Sequence, residues 1–434
     1  MLSKLKQKIN NYKIEILVLI LIIFLSFYRS PFILLNGRFV GEEATYHFLF
    51  ALNNDFIENL FYFIPLAGYY NLVPNILAEI ATLLPLELAP FSTVYGSFLI
   101  LINLQIICLF YNSYFLDTKF KKIYASFLLF ASPPFVPEIW LNSLNSQIYL
   151  CLTAILILFI NNKKNKINYY LHSNIFIASF SGIYSCVLAP FFLIRYYYNK
   201  TKYDLTNLAI IICATIIQLS ILAYSKFSNL LLESKLEFTI NFDMIILFIY
   251  NNLARPIFGR QLTHWIYENL NLFSFSIFKI SFLLLFFIFA FLIYFILNKN
   301  LFSRFKKDPI LLSLVFIFIL LSAIIFIGSA GIQLGGRYAV LPGSVFLLIL
   351  LRLFTFSNTK KMRFFFIFIL GLSLLSGIYE FRPPTKNVKH QYIKYLDCVE
   401  CPIWKEEIKK WRKNKNYVVG IWPYPIKNLS LNIN

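Results

Sequence analysis

The chain has 434 residues, of which 59% are hydrophobic and only 14% are charged. A soluble domain is about half apolar and a quarter charged, so this composition excludes an ordinary soluble protein. The formal net charge of +20 lies mostly in short loops between long apolar runs. Such loops orient membrane spans, so the charge indicates contact with membrane lipid or a phosphorylated ligand and not with nucleic acid.

The apolar runs predict an all-α integral membrane protein with about eleven transmembrane segments. The first run follows a lysine-rich N-terminus and has no cleavage site after it, so we interpret it as an uncleaved span. The other predicted spans follow in chain order, apart from one ambiguous segment. With the first, they cover about residues 14–35, 91–116, 123–132, 146–160, 206–224, 274–297, 309–328, 338–353 and 363–380.

The ambiguous segment is 171–194, which is long enough for one span but has basic clusters at both ends. Its middle contains Gly182 between serines, and Pro190 follows. We therefore predict two short half-spans that form a broken hairpin, which requires shielding by protein or a water-filled cavity. A single span stays open as the alternative.

The positive-inside rule places the short basic loops in the cytoplasm together with the N-terminus. Segments 36–90, 225–273 and 381–434 then lie outside the inner membrane of a bacterial cell. The first of them contains prolines and apolar stretches too short to span, which predicts helices lying in the interface plane. The predicted organisation is a polytopic domain over 1–380 and a small extracytoplasmic tail over 381–434.

The tail shows signs of a folded cap. Trp404, Ile408 and Trp411 are spaced to share one face of a helix. Cys398 and Cys401 form a single C-x-x-C, which is weak evidence for zinc. A local disulfide is the better interpretation if the tail faces an oxidising compartment.

Two adjacent carboxylates, Glu42 and Glu43, follow the first predicted span. In the simpler interpretation they are interfacial acids in contact with water. In the functional one, a carboxylate acts as a general base or metal ligand at the mouth of a membrane cavity. The neighbouring carboxylate would raise one pKa or complete a divalent-cation site.

A second candidate motif runs from Gly335 to Pro342, at the outer start of the predicted span 338–353. Arg337 and Tyr338 suit an interfacial anchor and an aromatic belt. Alternatively, Arg337 binds a phosphate, for which its planar guanidinium is well suited.

Two polar clusters complete the candidates. Glu138, Asn142 and Asn145 lie between the third and fourth predicted spans, as a polar turn or as a patch that binds sugar hydroxyls or supports a metal. The second cluster is an interfacial belt or a site for a pyrophosphate or lipid headgroup. It consists of Arg255, Arg260 and His264.

The stretch Glu42-Glu43-Ala44-Thr45-Tyr46 resembles the acidic-Glu-Ala-x-Tyr signature after the first span of aminoarabinose and protein-mannosyl transferase relatives. These are GT-C glycosyltransferases, polytopic enzymes that use lipid-linked sugar donors. The first acid of that signature is commonly catalytic, so the resemblance implies this role for Glu42. The family often has Asp there, which leaves the choice between Glu42 and Glu43 open. The Arg337-Tyr338 pattern also looks like the one that these relatives carry near the lipid phosphate.

The resemblance implies transfer of a sugar from a polyprenyl-phosphate donor to a glycan, lipid or protein acceptor on the outer face of the membrane. A divalent cation, Mg²⁺ or Mn²⁺, is an open question, with Glu42 and Glu138 as the candidate ligands. The alternatives are a transporter or flippase of a lipid-linked glycan, a glycan ligase or polymerase, and a non-catalytic scaffold.

Overall fold

A computed structural model of the chain describes residues 12–132, 139–161, 167–231, 250–272, 308–329, 336–357, 359–382, 401–423 and 427–431. The described part is mostly helical, with two short two-stranded sheets. The chain divides into two compact units. The first comprises Met1–Ile123, Val136–Glu233 and Arg382–Asn434, and the second comprises Tyr124–Phe135 and Ser234–Phe381.

The α-helices of the described residues are numbered in chain order. They are α1 (Lys13–Arg29), α2 (Pro31–Asn36), α3 (Leu49–Asn53), α4 (Phe56–Leu60), α5 (Leu72–Leu83), α6 (Pro90–Phe110), α7 (Lys119–Ala131), α8 (Ser146–Leu158), α9 (Tyr169–Phe180), α10 (Ala189–Asn199), α11 (Lys202–Phe227), α12 (Arg255–Leu272), α13 (Pro309–Ser329), α14 (Gly336–Phe356), α15 (Lys360–Tyr379) and α16 (Trp404–Lys413).

Shorter elements connect these helices. Two π-helical segments and two 3₁₀ turns cover Glu43–Phe48, Tyr250–Ala254, Leu86–Leu88 and Tyr184–Leu188. The antiparallel strand pairs are β1 (Phe63–Ile64) with β2 (Tyr69–Tyr70), and β3 (Val419–Ile421) with β4 (Lys427–Leu429).

Four helices among the described residues are long and apolar enough to cross a membrane. They are Leu86–Phe110 and Lys202–Phe227 in the first unit, and Arg337–Thr355 and Lys360–Tyr379 in the second. The membrane character predicted from composition is therefore supported, whereas the predicted number of about eleven spans is not reached in the described part. The span predicted at 274–297 lies outside the described residues.

The predicted first span, 14–35, is divided into α1 and α2 at Ser30. Pro31 has no N–H and disfavours helical backbone in the residue before it, so α1 ends at Arg29. The Trp140 indole Nε1 donates to Ser30 Oγ at 2.7 Å, and the Arg29 guanidinium lies 4.4 Å from the same ring. These contacts anchor the loop before α8 against the end of α1.

The segment 171–194 contains two helices, α9 and α10, with the break at Ser181–Ile183. Gly182 has a φ of +94°, which L side chains rarely adopt. A Cβ at this position would lie 1.9 Å from Gln147 Oε1. The positive φ therefore favours glycine here, and a Cβ would in addition displace the Gln147 side chain.

The two helices at the break run back to the same end of α11. Near the start of α9, His172 Nδ1 lies 2.8 Å from Asn207 Oδ1. Near the end of α10, Arg195 Nε lies 2.7 Å from Asp204. Because Asp204 and Asn207 are both in the first turns of α11, α9 and α10 form a hairpin beside it.

The C-terminal residues form a small cap in the first unit. Helix α16 buries Trp404, Ile408 and Trp411 on one face, as their spacing predicts. They pack with β3 and β4 against the segment that follows α2, where Trp404 meets Phe39 and Phe48 at ring distances of 5.0 and 6.1 Å. The cap and this segment therefore share one apolar core.

The cysteines fit a structural role. Cys108, Cys151 and Cys186 are buried and free, while Cys213 is free and exposed on α11. Cys401 is disulfide-bonded. Cys398 lies outside the described residues.

Candidate functional site

The acidic pair lies at the start of a rare helical form. Residues Glu43–Phe48 are π-helical, and the N–H of Leu49 donates to the carbonyl of Ala44, five residues earlier. Thr45 Oγ1 also donates to the Gly41 carbonyl at 3.0 Å, a back-bond that bends helices. Single π-helical turns occur frequently at functional sites. The segment Glu43–Phe48, called the signature segment below, has this geometry.

The cap holds the start of this segment. The N–H of Gly41 donates to the Trp422 carbonyl at 2.8 Å, and Val40 forms a parallel bridge with Trp422. The position of the acidic pair is therefore fixed by residues from the far end of the chain.

Glu43 is buried, with 1% of its surface exposed. Its Oε1 accepts from Ser143 N at 2.6 Å and from Ser143 Oγ at 2.5 Å, and its Oε2 accepts from Val40 N at 2.8 Å. Burial raises the pKa of Glu43 to about 7, against these hydrogen bonds, and the charge of Glu42 raises it further. Both oxygens are thus engaged inside the protein, and Glu43 joins the signature segment to the loop before α8.

Glu42 has the opposite surroundings. Its side chain is half-buried and interacts electrostatically with both Glu43 and His47. Of the two acids predicted from the sequence, Glu42 is therefore the more exposed.

His47 is buried next to this pair. Its Nδ1 lies 2.8 Å from Asn75 Oδ1. Burial lowers the pKa of His47 to about 4, while the contact with Asn75 and the charge of Glu42 act in the opposite direction. At neutral pH the imidazole is therefore uncharged.

In the part that the structure describes, the predicted polar cluster before α8 forms a polar turn, one of the two alternatives given for it. Asn142 is buried, and its Oδ1 accepts from the N–H of Leu144 at 2.9 Å, so it shapes the turn that presents Ser143 to Glu43. Asn145 is half-buried and precedes the first residue of α8. Glu138 lies outside the described residues.

Arg337 and Tyr338 begin α14 in the second unit and are half-buried. The Arg337 guanidinium lies 4.9 Å from the Tyr338 ring, and its Nη2 donates to the Tyr338 hydroxyl at 3.0 Å. The tyrosine thus orients the arginine at the N-terminal end of an apolar helix, where an anion is stabilised by the helix dipole.

Arg255 and Arg260 also belong to the second unit, at the start of α12. The helix is interrupted at Gly259, with a φ of +76°, and Glu380 accepts from the N–H groups of Arg260 and Gln261 at 2.7 and 2.5 Å. A carboxylate of the protein therefore occupies the two backbone N–H groups that follow the break at Gly259.

The Arg255 guanidinium keeps its charge at neutral pH. Burial, and then the charge of Arg260, lower the pKa of Arg255 to about 10, while Glu380 raises it. Arg255 donates to Asn251 at 3.2 Å, and its buried Nε has no hydrogen bond among the described residues. Two cations beside one carboxylate leave this cluster suited to an additional anion. The side chain of His264 lies outside the described part.

The described residues contain no group of three or more His, Cys, Asp or Glu side chains that could hold a metal ion. Of the two candidate ligands for Mg²⁺ or Mn²⁺, the structure describes Glu42, while Glu138 lies outside the described residues. The structure also adds residues that sequence reasoning missed, namely Asn75, Ser143, Glu380 and Trp422.

No model of a known protein family matches this chain, and no curated protein matches it. The resemblance to the GT-C glycosyltransferases therefore depends on the layout of the chain and the two short motifs around Glu42 and Arg337.

Glu43 and His47 are expected to give opposite pH dependences of stability. Glu43 has a folded-state pKa of about 7, above its ordinary 4.5, so its contribution is present below pH 4.5 and is lost as the pH rises through 7. His47 has a folded-state pKa of about 4, below its ordinary 6.5, so its contribution is present above pH 6.5 and is lost as the pH falls through 4. Each contribution amounts to about 3 kcal/mol, and they largely cancel where the windows overlap.

Single substitutions separate the two pH dependences. On acidification from pH 6.5 to 4.5, the melting temperature of Glu43→Gln should fall relative to that of the wild-type protein, and the melting temperature of His47→Asn should rise relative to it. The measurement is thermal unfolding of the purified proteins in one detergent across this pH range. Parallel curves for all three proteins would contradict the assigned burial of both groups.

Proposed function

We propose that this chain is a membrane-embedded glycosyltransferase of the GT-C type. It moves a sugar from a polyprenyl-phosphate-linked donor to an acceptor on the outer face of the membrane. The observation that carries the proposal is the difference between the surroundings of Glu42 and Glu43. Glu43 is buried with both oxygens engaged, whereas its half-buried neighbour Glu42 stands at a π-helical turn, close to His47.

In the proposed reaction, Glu42 takes the proton of the acceptor hydroxyl. The hydroxyl oxygen forms a bond to the anomeric carbon as the bond from that carbon to the phosphate oxygen breaks. Polyprenyl phosphate is the leaving group, and its developing charge requires cations. Arg337, Arg255 and Arg260 are the proposed phosphate-binding residues, since a guanidinium fork matches phosphate oxygens.

The proposed location is the inner membrane, with the N-terminus in the cytoplasm and the C-terminus outside. The shared core of α16 with Phe39 and Phe48 supports a common side for the cap and the first outer segment. The disulfide at Cys401 supports an oxidising compartment for the cap. The short helices between residues 43 and 83 are proposed to lie in the membrane interface.

A second candidate function is transport of a lipid-linked glycan across the membrane. The broken helices α9 and α10 favour it, since discontinuous helices line many transport sites. A glycan ligase or polymerase would use the same acidic pair on other lipid-linked substrates.

The glycolipids of a strain that lacks this chain separate these functions. We expect an acceptor that is one sugar shorter than the wild-type product to accumulate, because the transfer step is missing. A complete glycan trapped on the cytoplasmic side would contradict the proposal and favour transport. A complete but unpolymerised or unligated glycan on the outer side would favour a polymerase or ligase. The measurement is mass spectrometry of extracted lipids, with and without enzymatic treatment of intact cells.

A further inference from the structure

The hydrogen bonds of Asn75 determine which nitrogen of His47 carries the proton. Asn75 Nδ2 donates to the carbonyls of Leu60 and Tyr62, at 3.2 and 2.7 Å. Only the amide nitrogen can make both bonds, so the Asn75 oxygen is the atom that faces His47. An oxygen accepts there, and His47 Nδ1 must therefore donate.

This assignment leaves the other ring nitrogen as an acceptor. A neutral imidazole carries one proton, so His47 Nε2 has a free lone pair. Within the described residues, the Nδ1 contact is the hydrogen bond that His47 makes, and its ring meets Tyr62 edge to face at 5.8 Å. Among the residues that the structure describes, the Nε2 lone pair therefore has no hydrogen-bond donor.

The π-helical turn brings the side chains of His47 and Glu42 toward the same face of the segment. His47 follows Glu42 by five residues, which on a regular α-helix would turn the two side chains to different faces. In a π-helix the hydrogen bonds join residues five apart, so such residues approach each other. The electrostatic influence of Glu42 on His47 agrees with this placement.

We propose that His47 Nε2 is a second hydrogen-bond acceptor for the acceptor substrate, beside the carboxylate of Glu42. Two adjacent acceptors suit a ligand with two hydroxyl groups. Glu42 would deprotonate one of them, and the other would donate a hydrogen bond to His47 Nε2. The inference rests on the proposed function and deepens it by assigning the acceptor to the hydroxyl-rich carbohydrates. An acceptor with a single hydroxyl, such as a serine side chain, would leave His47 unused.

Isosteric substitutions separate the two nitrogens. The amide of Asn occupies the place of Nδ1, so His47→Asn retains the hydrogen-bond donor to Asn75 and loses the hydrogen-bond acceptor at the Nε2 position. The amide of Gln occupies the place of Nε2, so His47→Gln retains a hydrogen-bond acceptor at that position. It leaves the buried Asn75 oxygen without its donor. Transfer is measured in membranes of the deletion strain that carry each variant. The probes are the acceptor glycolipid that accumulates in that strain and the polyprenyl-phosphate-sugar fraction of wild-type cells.

For His47→Asn we expect the KM for the acceptor to rise roughly 2- to 10-fold, as for the loss of one hydrogen bond, with a kcat close to wild type. For His47→Gln we expect a KM near wild type and a lower melting temperature. A wild-type KM in His47→Asn would overturn the inference, because a residue with a purely structural role would alter only stability.

Two further variants keep the test decisive. If His47→Asn does not accumulate in membranes, His47→Phe fills the ring volume without nitrogens and should also raise the KM for the acceptor, whereas an unchanged KM would overturn the inference. Glu42→Gln tests the proposed function separately. Full transfer in Glu42→Gln would reject the proposed function itself, while loss of transfer there with a wild-type KM in His47→Asn would reject the role of His47 alone.

Discussion

Glu42→Gln is expected to lower the transfer rate by about 10²–10⁴-fold, because a glutamine keeps the shape of the side chain but cannot accept the proton of the acceptor. The protein should still fold, since Glu42 is half-buried and it is Glu43 that joins this segment to the loop before α8. The measurement is the rate of product formation in membranes of the deletion strain that carry equal amounts of each variant.

Matched variants distinguish the loss of a base from a general loss of charge. Glu58→Gln removes an exposed acid from the segment between α2 and α6 and should leave the rate unchanged. Glu42→Asp retains a carboxylate and, given that the related signature often has Asp, should retain measurable transfer. Equal rates for Glu42→Gln and Glu58→Gln would contradict the assignment of the base.

Trp404→Ala is expected to destabilise the cap and the acidic segment by about 3–5 kcal/mol, the usual cost of truncating a buried tryptophan. Trp404 is 3% exposed, contacts Phe39 and Phe48, and its indole Nε1 donates to the Leu86 carbonyl at 2.7 Å. Because the cap also holds Gly41 through Trp422, transfer should fall as well. The melting temperature in detergent and proteolysis of the tail measure the effect.

The chain offers graded controls for this result. Val418→Ala truncates an exposed cap residue and should change stability by less than about 0.5 kcal/mol. Trp404→Phe retains the aromatic packing but loses the hydrogen bond to Leu86. Its loss of stability should therefore lie between those of Val418→Ala and Trp404→Ala. If Trp404→Ala changes stability no more than Val418→Ala does, the core shared by the cap does not stabilise the segment that contains Glu42 and Glu43.

The features that follow from local pattern could be predicted. Apolar length indicated α11, α14 and α15 within a few residues, because a span is defined by its composition. The spacing of Trp404, Ile408 and Trp411 indicated the buried face of α16. The serines, glycine and proline between residues 179 and 190 indicated the break between α9 and α10.

The features that depend on distant contacts could not be predicted. Glu43 and Ser143 are 100 residues apart, and no local pattern distinguishes a clamped carboxylate from a reachable one. The same holds for His47, whose tautomer depends on an asparagine 28 residues further on. The π-helical turn also has no signature of its own in the sequence, although it determines which side chains face each other.

Transfer by the purified protein tests the central claim most directly. Wild-type protein in detergent is mixed with the acceptor glycolipid from the deletion strain and a labelled polyprenyl-phosphate-sugar fraction, and Glu42→Gln is treated identically. We expect the wild-type protein to move the label to the acceptor and to release polyprenyl phosphate, and Glu42→Gln to do neither. Label transfer at equal rates by both proteins, or by neither, would contradict this expectation.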